Sequence, residues 1–144
     1  MANVGEKFPS FTTESHEGET VDIESYRGGK KLVVFFYPRA STPGCVRETT
    51  EFAARRAEFD ALDTVILGVS VDSVEAQKKH AITCAANFPV LAKGKPLVEQ
   101  LGIASDSGSA KRTTFVVGQD GAIKQVFEGV KVDGHVDEVL AAVK

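Results

Sequence analysis

The sequence predicts an α/β fold in which a central mixed β-sheet is flanked by helices. Three observations lead there. Residues 31–37 form a continuous apolar run and residues 64–71 a mostly apolar one, the pattern of strands buried on both faces of a sheet. Each run is followed by a charged segment of helical length. Finally, residues 113–117 and 122–127 flank Gln119, Asp120 and Gly121, a hairpin signal that adds an antiparallel pair.

Taken in order, the chain opens on a short polar stretch, and the strand at 31–37 stops at Pro38. Residues 43–59 are expected as one helix carrying Phe52 and Phe59, with Thr42 as N-cap and Pro43 as first helical residue. The second buried strand at 64–71 leads into a helix over 73–86, capped by Asp72 or Ser73. A short strand at 88–91 and a short helix at 96–101 precede the hairpin. An amphipathic helix over 132–143, with Asp133 near its start, closes the chain. A parallel core joined by helices, then a hairpin and a last helix, matches a thioredoxin-like layout.

With 144 residues the chain fits one domain spanning 1–144. A domain of that size buries roughly 70% of its unfolded surface. Net charge is -3 and pI about 5.6, with Lys and Arg scattered among acids, which argues against nucleic acid as a partner. Residues 1–10 lack an apolar stretch of signal-peptide length, and the longest apolar run is too short to cross a bilayer. A cytoplasmic protein with no membrane partner is expected. In a reducing compartment its two cysteines are more readily reactive or buried than a structural staple. Neither a P-loop nor a dinucleotide fingerprint occurs. His80 and Cys84 are two metal-ligand types without a surrounding cluster, so no metal or other cofactor is expected.

The chemistry gathers on residues 38–45, Pro-Arg-Ala-Ser-Thr-Pro-Gly-Cys, which lead from a buried strand into a helix. With Thr42 as N-cap, Cys45 lies in the first turn, among unpaired N–H groups at the positive end of the helix dipole. That position favours thiolate over thiol. The same N–H groups suit the negative charge that develops on a peroxide's distal oxygen. Gly44 leaves the backbone open to a small substrate, and Thr42 supplies a hydroxyl that both donates and accepts. From position alone, a small buried cysteine after a turn is an equal reading.

The whole string decides between them. Pro-x-x-x-Thr-x-x-Cys resembles the active-site motif of peroxiredoxins, and Thr42-Pro-Gly-Cys45 resembles the bacterioferritin-comigratory, or PrxQ, branch. Residues 33–38, Glu48, and the stretch Val4-Gly-Glu-Lys-Phe-Pro9 fit the same branch. The resemblance implies a thioredoxin-like fold and a thiol peroxidase acting on hydrogen peroxide and organic hydroperoxides. It makes Cys45 the peroxidatic cysteine and Thr42 the residue that orients the peroxide, while Pro38 shields the pocket. It also implies an arginine from a later strand, for which Arg112 stands at the matching place. Without the resemblance, Arg112 is a strand-end cation. Glu48, one turn after Cys45, is expected to pair with Arg112 or Arg47, or else to be a solvated helix carboxylate.

A peroxidatic sulfenic acid is rescued by a second thiol. Many members of the branch carry it five residues on, where this chain has Thr50. Others place it on the next helix, which points to Cys84. Val74, Ala81 and Ala85 define one face of that helix, and Cys84 falls on its flank, partly accessible. A small core-edge cysteine is the alternative. Joining two helices requires Cα atoms within about 7 Å, so both segments are expected to reorder on oxidation. His80 shares the face of Cys84 and is read as a solvated helix residue in preference to a promoter of the thiolate. His16 and His135 suggest nothing specific. The resemblance further implies thioredoxin, or glutaredoxin, as reductant and a monomer. A disulfide oxidoreductase of the same fold lacks its Cys-x-x-Cys, and a mere binding module does not need Thr42, Cys45 and Arg112 together.

Overall fold

The computed structural model describes residues 3–26 and 29–144. Its sheet has five strands: β3 (Lys31–Phe36), β4 (Thr64–Val69), β5 (Val90–Leu91), β6 (Thr113–Val117) and β7 (Ile123–Phe127), in the order β5-β4-β3-β6-β7. A separate hairpin of β1 (Thr12–Glu14) and β2 (Thr20–Asp22) precedes it. The pairs β3–β4 and β4–β5 are parallel, whereas β6 runs antiparallel to both β3 and β7. The sheet is therefore mixed, as its apolar runs and hairpin signal imply.

Strand alternation divides the core into two layers. Leu32, Val34 and Phe36 point to one face, where Leu67, Val69, Phe115 and Val117 meet the N-terminal segment and α4 (Lys95–Leu101). Val33, Phe35 and Tyr37 point to the other, with Ile66 and Val116, beneath four helices. These are α1 (Pro43–Ala54), α2 (Arg56–Asp60), α3 (Val74–Cys84) and α5 (His135–Val143). Phe35 carries much of the second layer, stacking on Phe52 of α1 at 4.5 Å between ring centroids. Its partner across the ladder is Gly68, and a Cβ there would lie 2.9 Å from the Phe35 ring. Glycine at that position makes room for the ring.

Several boundaries differ from expectation. The helix expected over 43–59 is two helices, because Arg55 leaves helical geometry (φ -105, ψ 7) and its N–H bonds back to Phe52. That break lets Phe52 and Phe59 both bury, while Arg55 reaches Glu58 and Asp137. Helix α3 ends at Cys84, not at residue 86, since Ala85 adopts a left-handed conformation (φ 52). Helix α5 starts at His135, after Gly134 in the left-handed region, so Asp133 lies outside it. The hairpin β1–β2 was not expected, because its three-residue strands carry mostly polar side chains.

Candidate active site

The sheet register assembles the site. Phe36 of β3 pairs with Thr113 of β6, so the residue just before β6 emerges beside the loop leading from β3 to α1. That residue is Arg112. Its Nη2 donates to Cys45 Sγ at 3.2 Å, and its Nη1 donates to Glu48 Oε1 at 2.7 Å. Cys45 and Glu48 are both buried, one helical turn apart on α1, so a single guanidinium spans them. Of the two partners expected for Glu48, Arg112 is the one found. Arg47 instead pairs with Glu51 and Asp133 at the surface. A Cβ at Gly44 would stand 3.3 Å from Arg112 Nη2. The guanidinium therefore lies on the side of Gly44 where a Cβ would project.

Thr42 holds the N-cap position in extended geometry (φ -86, ψ 152), but its hydroxyl makes no capping bond and donates to Arg39 O at 2.9 Å. The Val46 N–H bonds to Thr42 O, and Pro43 has none to offer. In an α-helix this leaves the N–H groups of Gly44 and Cys45 without an intrahelical acceptor. Pro38 is half-buried and lines a groove with Arg39, Val71, Asp72 and Lys95; neither Cys45 nor Arg112 lines that groove.

Cys84 is buried rather than partly accessible. The buried stripe of α3 is Gln77, His80, Ala81 and Cys84, at helical spacing, and Ala85 is exposed. Polar residues can face inward here because each has a partner. Tyr37 donates to Gln77 Oε1 at 2.6 Å, and Gln77 Nε2 donates to Leu91 O. Cys84 Sγ lies 3.6 Å from Val46 O, against the first turns of α1, and burial pushes its thiol pKa up. His80, expected in solvent, is fully buried, with Nδ1 2.8 Å from the Ser41 N and Nε2 2.9 Å from Thr49 Oγ1. Thr50, at the commoner position for a second cysteine, is exposed.

His135 is the site residue that sequence reasoning missed. It is buried, its Nε2 lies 2.8 Å from Thr114 Oγ1 and 3.9 Å from Glu48 Oε2, an oxygen with no hydrogen-bond partner among the described residues. The signal available was its place at the start of an amphipathic helix, which does not reveal what it faces.

A family model, the AhpC/TSA family, matches residues 4–126. The chain belongs to the AhpC/TSA family. Within it, the chain is 36% identical to a putative peroxiredoxin bcp of Coxiella burnetii, covering 95% of each. It is 32% identical to peroxiredoxin Bcp of Bacillus subtilis, over 98% of this chain and 94% of that one. Among solved structures, peroxidoxin BcpB of Mycobacterium tuberculosis superposes with a TM-score of 0.92 at 28% identity, covering 99% of this chain and 97% of that one. The bacterioferritin comigratory protein of Xanthomonas campestris, described for its alkyl peroxide reduction activity, gives 0.86 at 31% identity over 92% and 89%. This AhpC/TSA protein is thus a thiol-dependent peroxidase of the bacterioferritin-comigratory branch, with a thioredoxin-type fold, taking peroxides as substrates and thiols as reductants. No helix among its described residues is long and apolar enough to cross a membrane.

Three buried groups tie the stability of this AhpC/TSA protein to pH. Desolvation lowers His80 and His135 to about 4 from 6.5, and Arg112 pushes His135 the same way. Burial raises Glu48 from 4.5 to about 7 against the pull of Arg112. Each histidine stabilises the fold above pH 6.5, and that contribution is lost as pH falls toward 4. The carboxyl acts oppositely: its contribution is present below pH 4.5 and lost as pH rises through 7. Between about pH 4.5 and 6.5 the unfolded chain takes up two histidine protons while the native state holds one on Glu48. Stability therefore rises with pH in this window, by about 1.4 kcal/mol per pH unit at most for the net proton. Urea unfolding at pH 5 and 6.5 should show the difference; equal midpoints would contradict it.

Proposed function

We propose that residues 1–144 form one peroxidase domain in which Cys45 is the nucleophile toward hydrogen peroxide and organic hydroperoxides. The observation that carries this reading is the Arg112 guanidinium, 3.2 Å from Cys45 Sγ and anchored by buried Glu48. A fixed cation beside the sulfur stabilises its negative charge, and then the charge passing onto the peroxide oxygens. The helix-start N–H groups of Gly44 and Cys45, with the Thr42 hydroxyl, orient the peroxide. Sulfur takes the distal oxygen, the O–O bond breaks, and the departing alkoxide or hydroxide leaves as alcohol or water once protonated. The alkyl peroxide reduction of the Xanthomonas campestris relative supports organic peroxides as substrates.

Cys84 then resolves the Cys45 sulfenic acid as an intramolecular disulfide, and a dithiol protein, thioredoxin or glutaredoxin, reduces it. The backbone of α1 at Val46 lies against the Cys84 sulfur, so the first turn of α1 and the last turn of α3 must open. Cys84 is the final residue of its helix, so on α3 only the helix end has to open. A monomer in the cytoplasm completes the proposal.

Mass spectrometry after one equivalent of peroxide tests the scheme. A Cys45–Cys84 disulfide is expected in the native protein. In Cys84→Ser, Cys45 should instead accumulate as sulfenic and then sulfinic acid. Turnover driven by thioredoxin should collapse, while small thiols still support activity. Unchanged thioredoxin-driven turnover in Cys84→Ser would remove Cys84 from the cycle.

A further inference from the structure

His80 is a buried titratable group that the scheme above leaves without a task. Its surroundings are unusually complete. The Ser41 backbone N–H points at Nδ1, and an N–H can only donate, so Nδ1 carries the lone pair. The ring proton therefore sits on Nε2 and is donated to Thr49 Oγ1 on α1. Tyr37 stacks on the ring at 4.9 Å, and Cys84 Sγ lies 3.9 Å from Nδ1 and 3.7 Å from Nε2. Ser41 is held in the left-handed region (φ 65), a conformation serine adopts only when its surroundings impose it. One imidazole thus fastens the loop before α1, fastens α1 itself, and touches the sulfur of Cys84.

We propose that His80 is the base for the Cys84 thiol during disulfide formation, masked while the loop is closed and exposed when it opens. This rests on Cys84 being the resolving cysteine. In the closed state the Nδ1 lone pair is committed to Ser41, so Cys84 stays a thiol. Opening of the loop and the first turn of α1, which the disulfide requires, withdraws Ser41 and frees Nδ1. Nδ1 then takes the Cys84 proton as that sulfur attacks the sulfenic sulfur of Cys45. The S–S bond forms, the S–O bond breaks, and the departing hydroxide receives the same proton from Nδ1 to leave as water. His80 ends neutral, and no other reactant is consumed. The titratable groups acting on His80 are Asp72 ahead of α3, Tyr37 after β3, and Cys84 on its own helix. Burial holds the closed ring at about 4, and release toward water moves it back toward 6.5, where it works as a base near neutrality.

The test is His80→Asn, whose side-chain oxygen keeps an acceptor for Ser41 but cannot hold the proton. The chain has no tryptophan, so the two chemical steps are best followed by quenched flow, alkylation and mass counting. Disulfide formation should slow by about 10²-fold or more relative to the peroxide step at pH 7, the usual worth of a positioned base. The deficit should shrink as pH rises through thiol ionisation. An equal slowing of both steps, or none, overturns the proposal. Native protein provides a second measure should the variant fail to fold. Its resolution rate should rise with pH through a histidine-like ionisation, and a rise governed only by a thiol above about 8.5 overturns the proposal. Native protein that forms no Cys45–Cys84 disulfide defeats the resolving reading itself, and the role of His80 with it.

Discussion

Cys45→Ser is expected to lose peroxide turnover down to the background rate of the assay thiols. The sulfur is the atom to which the site is fitted. Arg112 Nη2 donates to it, the start of α1 points N–H groups at its surroundings, and Glu48 holds the guanidinium in place. Serine is nearly isosteric with cysteine, so the fold should survive. The hydroxyl, however, stays protonated near neutrality, and the hydrogen-bond partner given to this position is Arg112, a cation that cannot take its proton. A serine oxygen also cannot pass through a sulfenic state and be reduced again. Peroxide consumption coupled to thioredoxin or to small thiols measures this directly. Full turnover by Cys45→Ser would remove Cys45 from the reaction altogether.

The second large effect is expected at Arg112. Arg112→Leu removes the donor to Cys45 and the partner of Glu48 in one substitution. Loss of a preorganised donor at the reacting charge costs about 10²–10³-fold in rate. Stability suffers separately, since removing one partner of a buried ion pair costs about 3–5 kcal/mol when the other stays charged. Glu48 already titrates at about 7 because of burial, and without Arg112 it holds its proton at neutral pH, which softens that loss. The double variant Arg112→Leu with Glu48→Gln separates the effects. Its thermal stability should recover while the peroxide step remains slow. Recovery of the rate along with stability would show that Arg112 acts only as a structural prop.

The residues proposed to react were legible in the sequence, whereas their surroundings were not. Cys45 stands in a string where Thr42 is a favoured N-cap residue and Pro43 has its φ fixed for the first helical position, so its place at a helix start follows from local rules. Arg112 could be assigned only by resemblance, since its nearness to Cys45 arises from the antiparallel pairing of β6 with β3. The face of α3 was misread for a related reason. Apolar periodicity selects Val74, Ala81 and Ala85, but of these only Ala81 belongs to the inward stripe, which otherwise holds Gln77, His80 and Cys84. Their partners come from Tyr37, Leu91, Ser41, Thr49 and Val46, all distant in sequence. His135 escaped notice on the same ground, its hydrogen bond reaching back to Thr114 on β6.

The sequence by itself determined the fold class and singled out Cys45 as the proposed nucleophile, because buried-strand runs, a hairpin turn and a helix-start cysteine are written in neighbouring residues. Only the tertiary structure decided which charges and rings enclose the two sulfurs. Polar side chains bury where hydrogen-bond partners meet them. Those partners are brought together by sheet register and helix packing, not by position along the chain.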